Sequence, residues 1–183
     1  GNGIYMSIIL RPNLSMDNAP LITSCAAVAI AKAIETVTGL STKIKWVNDI
    51  FINGKKVCGI LTEAGMNFEM GSLEYAVVGI GINVSTMKFP DSLKSIATSL
   101  SLETKSVVHR NQLIAEILNV FEYYYDNITN KIFLSEYISR SNIIGQEITV
   151  IELDKSYAAT AVSIDDSARL IVRMSNGDEK TLN

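Results

Sequence analysis

The sequence predicts an α+β fold, a mixed β-sheet flanked by helices, followed by a small all-β module. Three observations carry this. Two apolar runs flank Asn53-Gly54, the strongest short-range signal for a two-residue hairpin turn, because both central residues must take positive φ. Apolar residues recur at helical spacing over 20–38 and again over 110–127. From Ser141 onward the pattern changes to short strands separated by polar turns. The bulk composition agrees. With 183 residues, 48% hydrophobic and 19% charged, the chain is long and apolar enough for one or two globular domains. A net charge of −3 argues against general binding to nucleic acid or to an anionic membrane.

Residues 4–10 read as a buried strand closed by Pro12. After a loop over 14–19, Pro20 opens a helix that runs to Thr38 and is closed by Gly39. Leu21, Ile22, Cys25, Ala26, Ala29, Ile30, Ala33 and Val37 form its apolar set, and the alanines suggest close packing on a sheet. The hairpin over 43–63 follows. Its turn predicts that Ile52 faces Lys55, Phe51 faces Lys56 and Asp49 faces Cys58. Asp49, Phe51, Lys56 and Cys58 then share one face, with Lys56 a diagonal neighbour of Asp49 at roughly 7–8 Å between α-carbons.

A polar loop is expected over 65–72, then a strand over 75–84 whose Ala76-Val77-Val78 run is apolar on both faces, as in a central strand. Residues 85–93 are irregular around the turn Phe89-Pro90-Asp91, and 95–102 read as a short helix. The helix over 110–127 carries Leu113, Ile114, Ile117, Leu118, Phe121 and Tyr124 on one stripe; another spans 131–140. Strands over 147–153, 157–164 and 169–174 are separated by Asp154-Lys155-Ser156, Asp165-Asp166-Ser167 and Ser175-Asn176-Gly177. The chain starts at Gly1 directly before a strand pattern and ends at Asn183 in an apparently unfinished hairpin, so it reads as a piece of a longer protein.

Several residues stand out chemically. A lysine and an aspartate on an apolar ribbon either sit at its solvated edge or do chemistry, and spacing alone favours an edge lysine for Lys56. Asp49 can ligate a cation, accept a hydrogen bond from an amine, or pair with Lys45 or Lys56. Glycines in strands, here Gly59, Gly79 and Gly81, mark close backbone approach by a ligand or another segment. Gly79-Ile80-Gly81 is not a dinucleotide fingerprint, since the third glycine is missing. Cys25 and Cys58 read as buried free thiols of a cytoplasmic protein. With one histidine they make no structural zinc site. His109 reads as a capping or surface residue, Glu63 as structural, and Tyr123-Tyr124-Tyr125 as a partly packed helix face. Apolar stretches look too broken for a membrane span, and no signal peptide is visible.

Lys45-Trp46-Val47-Asn48-Asp49, Lys56-Val57-Cys58-Gly59-Ile60-Leu61-Thr62-Glu63 and Gly79-Ile80-Gly81-Ile82-Asn83 stand in this order along the chain. Together they resemble the central block of the biotin protein ligases, whose pattern is K-W-P-N-D, K-hydrophobic-x-G-I-L-x-E and G-hydrophobic-G-hydrophobic-N. Val47 departs from it, replacing the family's proline. Gly3-Ile4-Tyr5-Met6-Ser7-Ile8-Ile9-Leu10-Arg11-Pro12 is similar to the family's G-x-Y-x-S-hydrophobic-x-L-R-P strand. In the family that strand follows a glycine- and arginine-rich loop and a serine/threonine-rich biotin-contacting segment, both outside this sequence.

The resemblance implies a class II synthetase/biotin ligase-like domain over 1–140, N-terminally incomplete, and a C-terminal SH3-like barrel over 141–183, cut short at its end. It implies attack of biotin on MgATP to give biotinyl-5′-AMP, then transfer to a lysine of a biotin carboxyl carrier protein. Lys56 would contact both biotin and adenylate, and Asp49 would ligate Mg²⁺ or accept from the target amine. Asn48 and Asn83 would bond the nucleotide, Lys45 would add positive charge, Trp46 would wall the pocket, and Gly59 and Gly81 would admit ligand. Two other readings stay open: a lipoate or octanoate ligase, and a non-catalytic regulatory module that binds biotin or nucleotide. The resemblance also implies a homodimer paired through a sheet edge.

Overall fold

The computed structural model describes residues 1–67, 69, 71–152 and 155–182. Phe68 and Met70 of the expected polar loop lie outside the described residues, as do Leu153, Asp154 and Asn183 from the expected last strands and turn.

A five-stranded sheet forms the larger layer. Its strands are β1 (Gly3–Leu10), β2 (Lys43–Lys45), β3 (Asp49–Ile52), β4 (Lys55–Asn67) and β5 (Ser72–Asn83), in the order β1-β5-β4-β3-β2. The sheet was expected to be mixed, yet its neighbouring strands all pair antiparallel. Among the described residues, parallel pairing is confined to single bridges, Lys56 with Ala97 and Ile44 with Ser141. Short connections dictate the antiparallel pairing for β2 to β5, because hairpins can only join antiparallel strands, whereas β1 joins β5 across a long stretch of chain. The expected polar loop over 65–72 is strand at both ends: β4 runs through Asn67 and β5 starts at Ser72, with a register shift at Gly65/Met66.

Helix α1 (Pro20–Thr38) has the predicted bounds. Gly39 adopts φ 72°, and its N–H donates to Glu35 O at 2.8 Å, which closes the helix. Its apolar set extends beyond one stripe: Thr23, Ser24, Ala27, Val28, Ala31 and Ile34 are buried too. The cause is sandwiching, since α1 packs on the sheet and also against α3 (Arg110–Asp126). Contrary to the sequence reading, Met16–Thr38 is long and apolar enough to cross a membrane by length and composition, but 72% of that window is buried inside the protein, as in a core helix.

On α3, Leu113, Ile117, Phe121 and Tyr124 are buried and Leu118 is exposed. His109 is its exposed N-cap residue, without a side-chain capping bond. The helix expected over 95–102 is shorter and later: α2 spans Leu100–Thr104, capped by the Ser99 side chain, because 96–98 pair with Lys56 instead. Helix α4 spans Leu134–Ser139.

The sheet has two unlike faces. Alternation along β5 buries Leu73, Ala76, Val78, Ile80 and Ile82 against α1. Val77 is only half-buried, so the strand is not apolar-packed on both sides as expected. On the opposite face Tyr5, Ile9 and Leu61 are 81%, 70% and 62% exposed.

A second antiparallel sheet contains β6 (Glu147–Glu152), β7 (Lys155–Ile164), β8 (Leu170–Met174) and β9 (Glu179–Leu182), in sequential order. The polar β9, unassigned from sequence, pairs Leu182 with Leu170. Val150, Ala159, Ala161, Leu170 and Val172 form its small core. It is tied to the first layer where Ile44 N–H donates to Arg140 O (2.9 Å), Asn142 N–H donates to Ile44 O (3.1 Å) and the Trp46 indole donates to Ala168 O (2.9 Å).

Candidate active site

One rung of the five-stranded sheet organises the site. Reading across the strands, Tyr5 faces Gly81, Gly81 faces Gly59, Gly59 faces Asp49, and Asp49 faces Lys45. The two central positions carry no side chains. On the open face they leave a strip of bare backbone, walled by Tyr5 on one side and by Asp49 and Lys56 on the other. The next rung, Ser7–Gly79–Leu61, extends it. Together they line a depression of about 590 Å³ that also includes Asn48 and Ile60.

Lys56 reaches this strip because the hairpin register slips. Phe51 faces Lys56 as predicted, but Ile50 faces Cys58 and Asp49 faces Gly59, so Val57 is an extra residue on β4. The bulge corrects the sequence reading: Asp49 does not face Cys58, and Cys58 lies buried on the core side with Ile50. Turn chemistry sets register only near the turn, and a bulge then resets it. Beyond it, Lys56 Nζ lies 2.6 Å from Asp49 Oδ1, an ion pair whose side chains are 44% and 21% exposed. The lysine lies across Gly59. A Cβ there would come within 3.2 Å of both Cε and Nζ of Lys56, and 3.6 Å of Asp49 Oδ1. Burial, then the Asp49 charge, push the Cys58 thiol up against a smaller opposing effect of Lys56, so it stays protonated and inert.

The other expected residues divide. Asn48 lines the depression, but its amide already donates to Ile60 O at 2.7 Å, which braces β3 against β4. Asn83 donates to Thr98 O at 3.1 Å and does not line the depression. Lys45 is exposed. Lys45 and Trp46 line a separate hollow between the two sheets, with the Trp46 indole committed to Ala168. The Trp46–Val47 peptide bond is cis, and Val47 O accepts from the Tyr137 hydroxyl at 2.8 Å. Sequence reasoning missed Tyr5, Ser7 and Leu61. Strand alternation puts Tyr5 and Ser7 on one face, but which strand lies beside them is a long-range fact.

Chemically, the strip offers a flat floor for a ring or chain, one ammonium able to leave its carboxylate for a stronger anion, and one carboxylate able to accept a proton or share a cation.

The chain matches the biotin/lipoate A/B protein ligase family model over residues 1–83. It is 40% identical, over 98% of its length, to the bifunctional ligase/repressor BirA of Bacillus spizizenii, covering 56% of that protein. It is 26% identical over 91% to the biotin–[acetyl-CoA-carboxylase] ligase of Paracoccus denitrificans, covering 72% of it. The chain thus spans little more than half the length of the Bacillus relative. In structure it resembles the biotin protein ligase of Aquifex aeolicus in complex with biotin and ATP, with a TM-score of 0.82, 24% identity, and coverage of 99% of this chain and 75% of that one.

Proposed function

We propose that this chain is a biotin protein ligase of the family it resembles, and that its glycine strip is an adenylating site that activates biotin with MgATP. The observation that carries this is the Lys56–Asp49 pair poised over the bare Gly59–Gly81 rung. Biotin extends along the strip. One carboxylate oxygen attacks the α-phosphorus, the bond to the bridging oxygen breaks, and pyrophosphate leaves. Two anions must meet for this, and the Lys56 ammonium offsets their repulsion and the charge that builds in the transition state. In the second step a carrier lysine amine attacks the acyl carbon, AMP leaves, and Asp49 accepts the amine proton.

Among the described residues no group of three or more His, Cys, Asp or Glu could hold a metal ion. Magnesium is therefore read as arriving on the nucleotide, with Asp49 sharing it at most; one carboxylate with phosphate oxygens and water suits that ion. Asn48 and Asn83 are read as shaping the nucleotide side through backbone contacts, Lys45 as a further positive charge, and Trp46 as the joint to the second sheet. That sheet, over 141–183, is read as an SH3-like barrel appended to a catalytic domain over 1–140. Two copies pairing through an outer strand, β1 or β2, belong to the same reading.

Biotin-dependent exchange of labelled pyrophosphate into ATP tests the proposal, with lipoate assayed in parallel because the matched family model spans both acids. Exchange with biotin supports it. Exchange with lipoate alone would reassign the substrate, and none with either acid would leave the chain without adenylating activity.

A further inference from the structure

We propose that Glu103 is a positioning residue for Lys56, acting through Thr98 and the hairpin turn. This deepens the adenylation reading and rests on it for its kinetic consequence. The need for such a device follows from the strand lengths. Pairing of β4 with β5 begins at Cys58, opposite Ile82, so Lys56 lies beyond the reach of β5. Its edge backbone groups would face solvent there. Instead they are taken by the segment that precedes α2: Lys56 N–H donates to Ile96 O at 2.8 Å, and Thr98 N–H donates to Lys56 O at 2.9 Å.

Thr98 is 2% exposed and satisfied on every polar atom. Its carbonyl accepts from Asn83 at 3.1 Å, and its hydroxyl donates to Glu103 Oε1 at 2.6 Å. The other carboxylate oxygen, Oε2, accepts from the Asn53 amide at 2.7 Å. Asn53 holds φ 50° in the turn that precedes Lys56. One carboxylate therefore clamps the chain on both sides of Lys56, from the turn and from the rung that holds its backbone. Both bonds are charge-assisted, the stronger kind. Glu103 touches neither the strip nor Asp49. Without it the 96–98 rung loosens and the ammonium loses its set position. A misplacement on the order of 1 Å can cost ~10²-fold in rate.

The test compares Glu103→Ala, Glu103→Gln and Lys56→Ala in the full chain. In Glu103→Ala, amide hydrogen exchange is expected to accelerate at Lys56 and Thr98 and to stay unchanged in β6–β9. Unchanged protection at Lys56 overturns the inference, whatever the activity. In pyrophosphate exchange Glu103→Ala is expected to lower kcat by ~10–100-fold with a smaller change in KM for ATP. Glu103→Gln, whose amide can still bond Thr98 and Asn53, should restore most of it. Combined with Lys56→Ala, Glu103→Ala should cost nothing further; an additive loss would show a merely structural role and contradict the proposal. A wild-type chain without exchange activity would sink the adenylation reading alone, since the amide measurement still decides the clamp.

Discussion

At the scale of single residues, the site depends on the absence of a side chain as much as on the presence of one. Gly59 gives Lys56 room to cross the sheet toward Asp49. Gly59→Ala places a Cβ 3.2 Å from Lys56 Nζ, and the flexible end of the lysine must move. Adenylation is expected to fall about 10-fold with the far-UV circular dichroism unchanged, as a displaced donor would give. The motifs made Lys56, Asp49 and Gly59 legible from sequence, and Asn53-Gly54 placed the turn. The pairing of Asp49 was not legible. The bulge at Val57 adjoins the bridge between Lys56 and Ala97, some forty positions away, and no local pattern encodes that contact.

At the scale of elements, α1 and α4 are locked by charge as well as by packing. Arg140 binds Glu35 through both terminal nitrogens, at 2.6 and 2.9 Å, and Glu136 at 2.6 Å. Burial raises the Glu35 pKa, but the Arg140 and Thr42 hydrogen bonds outweigh it and hold the carboxyl at about 2, below its ordinary 4.5. Glu136 is lowered by the same kind of balance. A depressed carboxyl stabilises the fold fully above about pH 4.5, and that contribution is lost as pH falls toward 2. Arg140→Met should cost about 2 kcal/mol in urea unfolding at pH 7. The deficit against wild type should shrink between pH 4.5 and 2. The bounds of α1 were readable because Pro20 and Gly39 act locally. Its burial all round was not, since the second covering layer is the distant α3.

At the scale of the whole molecule, the two sheets meet at a few specific bonds. Trp46→Phe removes the indole donor to Ala168 O and is expected to destabilise the chain by ~1 kcal/mol in equilibrium unfolding. The sequence announced the change of architecture after Ser141, because turn-rich short strands read differently from helices. It did not announce β9, whose two charged residues in four resemble a loop. The open sheet face was equally hidden. Tyr5, Ile9 and Leu61 look like core residues in the sequence, yet they flank or line the strip where ligand is proposed to lie.

Single-turnover formation of biotinyl-5′-AMP, measured by chromatography after mixing excess chain with biotin and MgATP, tests directly whether Lys56 drives adenylation on this strip. Wild type should accumulate the adenylate, and Lys56→Ala should form it ~10²–10³-fold more slowly, the usual cost of removing one transition-state donor. Adenylate formation undiminished in Lys56→Ala would contradict the assignment of this strip as the site.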